Sequence, residues 1–506
     1  MEQTGFGFSN STKIETFSRE DLLKKYQLMA DELARVIKEN YRLRDLKLTE
    51  EQIKLILEEQ LGELQNTLYG ASSERYKKPG IKPKIPTPPK PRIKKPSERY
   101  PNIPVREELV PFLEVPTCDA CGLVLTDSGM TEESEQLTVI PKKYEIIRLV
   151  RPKFRCSCHG CVKTAPLAPR IIAGSTYSDE MIQDVVLSKY CDLIPIERYT
   201  KMAARSGLKD LPPHSLIEVT HQFADFVSSS YELIKSGVLI SRVLNADETP
   251  HKMLEGSETK SWYLWGFSTP DLCFLECHDT RSGDVASDIL LNSRCEVLVT
   301  DVYSGYGKAI RISNVSRQSL GKTLIKNANC NAHARRYFFK PWEKYKEAEF
   351  YLDHYHEIYQ LNSQAKGKSP SEIIALRLQM KPRFEAMKKK AFEELPKYPN
   401  PGKYFKALNY FLKNYEGLTL FLTDPEIPID NNSQERLLRS HVVGRKTWYG
   451  THSERGARTA AILFLLIETC KLNHVNPREY LKNLVQDLLA SKNPFTPKEF
   501  KDLQKS

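Results

Sequence analysis

No run of about 18 or more apolar residues occurs anywhere in this 506-residue chain, so no segment is long enough to cross a bilayer as a helix. The longest greasy stretch, Thr459 to Ile467, is too short for that and reads as a buried helix. The opening residues lack a basic segment followed by an apolar core, so no secretory signal and no membrane partner are expected. A cytoplasmic location follows, where thiols stay reduced, and the 11 cysteines are then ligands or core residues rather than disulfides. An overwhelming charge of one sign is missing too: 75 Lys and Arg stand against 64 Asp and Glu, a net +11. So modest an excess matters only where it is concentrated.

What is present fits a soluble chain of two to four domains, 40% hydrophobic and 27% charged. Residues 1–76 carry a heptad seam between positions 19 and 68. Leu22, Met29, Val36, Leu43, Leu57 and Leu64 form one row, and Tyr26, Leu33, Asn40, Leu61 and Leu68 the other. This spacing suggests a coiled coil with Asn40 fixing register, interrupted where Lys47 and Lys54 break the second row; a helix packed within its own monomer is the alternative. Residues 77–104 form a linker, since Lys77 to Arg99 holds seven prolines and nine Lys or Arg and cannot build a core. Its charge suits phosphates. Residues 171–236 hold helical patterns, the last opening after Pro212-Pro213, compatible with a DNA-reading helix-turn-helix. Strand patterns follow from Val238, a helical stretch occupies 341–422, and residues 456–506 read as an apolar helix, a break at Pro477 and an amphipathic helix.

Five cysteines crowd into the module at 105–170. Cys118-x-x-Cys121 precedes Gly122, and Cys156, Cys158 and Cys161 form a second group. Two such groups are the pattern of a structural zinc ribbon, and the sequence between them reads as its strands. Four of the five would bind Zn²⁺; which two of the second group do so is open, with His159 a further candidate. Reduced core cysteines are the plainer alternative.

Two aspartates close strand patterns: Asp247 after Val238 to Ala246, and Asp301 after Cys295 to Thr300. Carboxylates at strand ends are held rigidly, and two on one sheet suit a pair of Mg²⁺ ions acting on a phosphodiester. A turn former or helix cap is the ordinary reading of each. Glu435 follows Asp430, Asn431 and Asn432, which look like helix-capping residues and place it about one turn into a helix. Glu435 and Arg439 could equally be an i,i+4 surface pair. Arg436, Arg439, Arg445 and Lys446, with Trp448 and Tyr449, give this helix a basic and aromatic edge suited to DNA.

Several long motifs occur in order: Leu68 to Tyr76, the cysteine module, Ala246 to Lys252, Asp301 to Tyr306, Asn331 to Phe338, Ile429 to Arg439, Gly444 to Gly450 and Gly456 to Asn473. Through them the chain resembles the insertion sequence 66 family of bacterial transposases over nearly its whole length. The resemblance implies an α+β multidomain protein with a ribonuclease H-like catalytic domain at 237–340 and 423–455, split by the helical insertion. It implies an Asp247–Asp301–Glu435 triad using two Mg²⁺ or Mn²⁺ ions. Its partners would be double-stranded transposon ends and target DNA, with Arg335 and Arg336 as further DNA contacts beside His333. A homo-oligomer, accessory proteins of the same element and a nucleoid-associated location are expected as well. An inactive DNA-binding descendant and a nuclease without strand transfer are the rival readings.

Overall fold

The computed structural model describes residues 161–504 apart from 255–260, 399 and 401, together with 95–108, 142–155 and scattered positions from 31 to 140. The heptad seam therefore lies outside the described residues, save Asp31, Ala34, Arg35 and Lys38, which are helical. So do Cys118, Cys121, Cys156, Cys158 and His159. The chain divides into a larger unit, Met1–Arg75, Pro152–Lys201 and Pro212–Ser506, and a smaller one, Tyr76–Arg151 with Met202–Leu211.

In the smaller unit a short helix, Pro96–Arg99, is tied by the Ser97 hydroxyl and backbone N–H, both donating to the Glu135 carboxylate at 2.8 Å. Thr117 pairs antiparallel with Val124. The strands expected between the cysteine groups are not formed among the described residues 133–151. Leu137, Val139, Ile140, Ile146, Ile147, Leu149 and Val150 are all exposed there. Alternation of apolar residues makes a strand only where a second surface accepts the apolar face, and this segment meets none among the described residues.

In the larger unit Lys153–Arg155 pairs antiparallel with Val162–Thr164, so that Arg155 faces Val162. Helices α1 (Asp179–Tyr190), α2 (Ile196–Arg205), α3 (Pro213–Phe226) and α4 (Ser228–Leu239) follow. Ser178 caps α1, and Pro213 begins α3 where its missing N–H costs nothing. The polar side of α3 carries Glu218 and Asp225, both ion-paired with Arg455.

A five-stranded sheet comes next, built from β1 (Val243–Lys252), β2 (Ser261–Ser268), β3 (Cys273–His278), β4 (Val297–Thr300) and β5 (Lys326–Asn329). Its spatial order is β3-β2-β1-β4-β5. The first three strands form an antiparallel meander, and β4 and β5 run parallel to β1. Parallel neighbours need crossovers. Helix α5 (Gly283–Leu291) lies between β3 and β4, and α6 (Ser304–Ser319) between β4 and β5.

After β5 come α7 (Asn331–Phe339), α8 (Ala348–Ser363), α9 (Pro370–Glu394), α10 (Lys403–Lys413) and α11 (Tyr415–Thr419). Aromatic side chains fill the space between them: Phe338 stacks on Tyr351 at 4.1 Å, and Phe411 and Phe384 meet the same cluster edge-on. The capping box Ser369/Glu372 starts α9. Helix α12 (Asn432–Trp448) returns to the sheet, followed by α13 (Glu454–Leu472), α14 (Pro477–Leu489) and α15 (Pro497–Leu503). Residues 459–467 are fully buried in α13, which packs on β3 and is surrounded by α1, α3, α4 and α14. No helix among the described residues is long and apolar enough to cross a membrane.

Candidate active site

Side chains of a strand alternate between faces, and β1 uses both. Leu244 and Ala246 enter the hydrophobic core, and Glu248 on that side meets Tyr306 of α6. Asn245, Asp247 and His251 belong to the opposite face, along which α12 lies. Three side chains of α12 or its cap answer them in order. Asn245 Nδ2 donates to Asn431 Oδ1 at 2.8 Å, Glu435 acts electrostatically on Asp247, and His441 stacks on His251 with ring centroids 5.1 Å apart. Beyond them an Arg445 guanidinium N–H donates to the Pro250 carbonyl.

Asn431 fixes this register. It occupies the N-cap position of α12, yet its side chain makes no capping bond; its Nδ2 donates to the Ala246 carbonyl at 2.8 Å. Asp430 supplies the local cap instead, accepting from the Asn432 N–H at 3.1 Å and from Tyr359 of α8 at 3.0 Å. The helices between β5 and α12 therefore hold the start of α12 from the outside. Asn331 strengthens that hold by donating to the Leu418 and Ile429 carbonyls. Close approach of α12 to the sheet needs Gly266, which pairs with Asp247 across β1 and β2. A methyl at Gly266 would collide with the Gln434 amide.

Asp301 follows β4, the parallel neighbour of β1, and accepts the Tyr303 N–H at 2.9 Å. The Asp247 carboxyl is pushed up to about 8, first by burial, then by the negative charges of Glu248, Asp301 and Glu435. Residues 54 and 188 positions downstream thus act on one carboxyl. The neighbouring Glu248 has donors of its own: Arg281 donates to its Oε1 at 2.6 Å and Tyr306 to its Oε2 at 2.6 Å, although burial still holds its carboxyl above the usual value. Arg281 also lies 4.1 Å above the Tyr303 ring, and Tyr303 donates back to the Arg281 carbonyl. Neither Glu248 nor Arg281 stood out in the sequence, although Glu248 follows Asp247 directly.

Glu435 sits in the first turn of α12 and faces His333 of α7, with Oε1 3.6 Å from Nδ1, rather than Arg439. Of the basic residues, Arg436, Arg439 and Lys446 are exposed together on the outer side of α12. Arg445 is instead engaged by Pro250, and Arg335 lies over Phe339 of its own helix at 6.0 Å. Arg336, like Arg335, is half-buried. Cys161 is exposed.

Residues 174–459 match the model of the transposase IS66 family, a span that contains the whole sheet, its helical interruption and α12. The chain belongs to that family. Residues 116–159 match the zinc-finger binding domain of IS66 transposases. Among curated proteins the chain is similar to two uncharacterized proteins of Sinorhizobium fredii. One, y4qI, is 28% identical over 458 residues, covering 87% of this chain and 81% of the relative. The other, y4hP, is 25% identical over 405 residues, covering 75% and 72%. Family membership assigns a transposase role and a zinc-finger domain to this chain.

Proposed function

We propose that this IS66-family member is a DDE transposase, cutting at element ends and joining them to target DNA with Asp247, Asp301 and Glu435 as its catalytic carboxylates. The observation that carries this reading is the convergence of the last two on Asp247. Strand order β3-β2-β1-β4-β5, with an antiparallel meander and two parallel strands, supports a ribonuclease H-like catalytic domain. The site is short of positive charge, because Arg281 is paired with Glu248. Three carboxylates with no Lys or Arg paired to them among the described residues fit divalent cations bound through oxygen, Mg²⁺ or Mn²⁺. Such cations supply Lewis-acid charge at phosphorus and activate the attacking oxygen. Asp247, Asp301 and Glu435 hold them, Asn431 keeps Glu435 in register with Asp247, and the outer row Arg436, Arg439 and Lys446 lies along phosphates of double-stranded DNA.

The first reaction is hydrolysis, freeing a 3′-hydroxyl. In the second that hydroxyl attacks a target phosphodiester, forming one P–O bond as another breaks, so no covalent protein intermediate is needed. For the zinc finger, the family match spans Cys118, Cys121, Cys156 and Cys158 and stops short of Cys161. We assign the first four as ligands of a structural Zn²⁺. The pairings Thr117–Val124 and Arg155–Val162, which flank the two cysteine groups in the sequence, support that assignment.

A paired-end strand-transfer assay with Mg²⁺ tests the reading. Wild-type protein is expected to nick and join. Asp301→Asn and Glu435→Gln are expected to bind ends and do neither. Nicking without joining would favour a nuclease, and undiminished cutting by Glu435→Gln would remove that residue from the site.

A further inference from the structure

Cys330, His333 and Glu435 come from the end of β5, from α7 and from α12, and their ligand atoms all lie within 4.8 Å of one another. Ligands on one tetrahedral ion, with bonds near 2.0–2.3 Å, stand about 3.3–3.8 Å apart. The His333–Glu435 separation of 3.6 Å already has that value and is too long for a hydrogen bond. Both atoms, His333 Nδ1 and Glu435 Oε1, are shielded from solvent and have no hydrogen-bond partner among the described residues. Buried polar atoms rarely stay unsatisfied without a reason. The third atom, Cys330 Sγ, is fully buried at the N-cap of α7 and accepts the Asn431 N–H at 3.2 Å. Burial pushes this thiol up to about 12, against the lowering effect of the Asn431 and His333 N–H groups, so it is a neutral thiol until a metal displaces its proton.

We propose that Cys330, His333 and Glu435 form a seat for a borderline, thiophilic dication of the Zn²⁺ class, distinct from the zinc finger and overlapping the Mg²⁺ site at Glu435. Sulfur and imidazole donors favour Zn²⁺ over Mg²⁺, which takes oxygen ligands. Three protein ligands leave a fourth position open. Binding exchanges the Cys330 thiol proton, released to solvent, for an S–metal bond. A cation seated there withdraws Glu435 from the hard-cation site, so Zn²⁺ inhibits cleavage by competition. The competition, but not the binding, rests on Glu435 being catalytic.

Calorimetric titration of Zn²⁺ into full-length protein whose zinc finger is already filled tests the seat. Wild-type protein is expected to take up one further equivalent. His333→Ala, at a half-exposed position, and Cys330→Ala are each expected to lose it, whereas Asp301→Asn keeps it. No further equivalent, or one that survives in both variants, overturns the proposal. In the Mg²⁺-dependent cleavage assay, His333→Ala is expected to need at least tenfold more Zn²⁺ for half inhibition. Binding without any inhibition would leave the seat standing and instead contradict the catalytic assignment of Glu435.

Discussion

Asp247 and Glu248 are adjacent carboxylates on opposite faces of one strand, and their surroundings could hardly differ more. Glu248 is almost fully buried, with its side chain only 2% exposed, and an arginine and a tyrosine both donate to it, partly offsetting the burial that raises its carboxyl. Asp247 faces other carboxylates and has only a backbone N–H, that of Glu248 at 2.9 Å, to offset them. The same chemical group is thus a structural tie on one face and a destabilised, charge-hungry site on the other. Proteins retain such unfavourable clusters where a ligand relieves them.

Breaking each side separates the two roles. The largest effect is expected from Asp247→Asn, which should lower strand cleavage at least about a hundredfold. Its thermal midpoint without metal should be unchanged or higher, because a carboxyl raised to about 8 stays protonated in the folded protein at neutral pH while the unfolded chain ionises it, which costs stability. Glu248→Ala should do the reverse. It leaves the buried Tyr306 hydroxyl without its acceptor, at about 1–3 kcal/mol by denaturant unfolding, and cleavage falls chiefly through lost folded protein. Asn431→Ala removes bonds to Asn245 and Ala246 at once, so it should lower both stability, by about 2 kcal/mol, and turnover.

A smaller effect sharpens the register argument through pH. Burial holds His251 down at about 4 and His441 well below its usual value. Unfolded histidines take up protons near pH 6.5 while these stay neutral, so the pair stabilises fully above that pH. Stability should fall as pH drops from about 6.5 toward 4, by about 1.4 kcal/mol per pH unit for each titrating histidine. Thermal midpoints across that window should fall less steeply in His441→Gln.

The same contrast explains how far the sequence could be read. The strand run closing at Asp301 was legible because alternation and β-branched residues are local signals, and the buried helix from Thr459 to Ile467 announced itself by its apolar run. The run expected from Val238 to Asp247 was misplaced: Val238 and Leu239 end α4, and the strand starts at Val243 and continues to Lys252, because pairing with β2 carries it on past Asp247. Position was legible for Glu435, one turn into a helix, but its neighbour was not: i,i+4 spacing pointed to Arg439, and tertiary packing brought His333. Asn431 looked like a cap because asparagine before a helix usually is one. Its partners on β1 lie 185 and 186 residues away, beyond any local pattern. The segment before Lys153 failed in the other direction, having a strand's alternation and no surface to receive it among the described residues.

Divalent-cation binding by the three carboxylates tests the central claim most directly. Mn²⁺ titrated into protein carrying only its zinc-finger equivalent of Zn²⁺, followed by its paramagnetic resonance, should bind the wild type. Asp247→Asn, Asp301→Asn and Glu435→Gln should each weaken that binding, and Glu248→Gln should leave it near wild type. Wild-type affinity in Glu435→Gln, or a loss in Glu248→Gln as large as in Asp247→Asn, would contradict the division of labour between the two faces of β1.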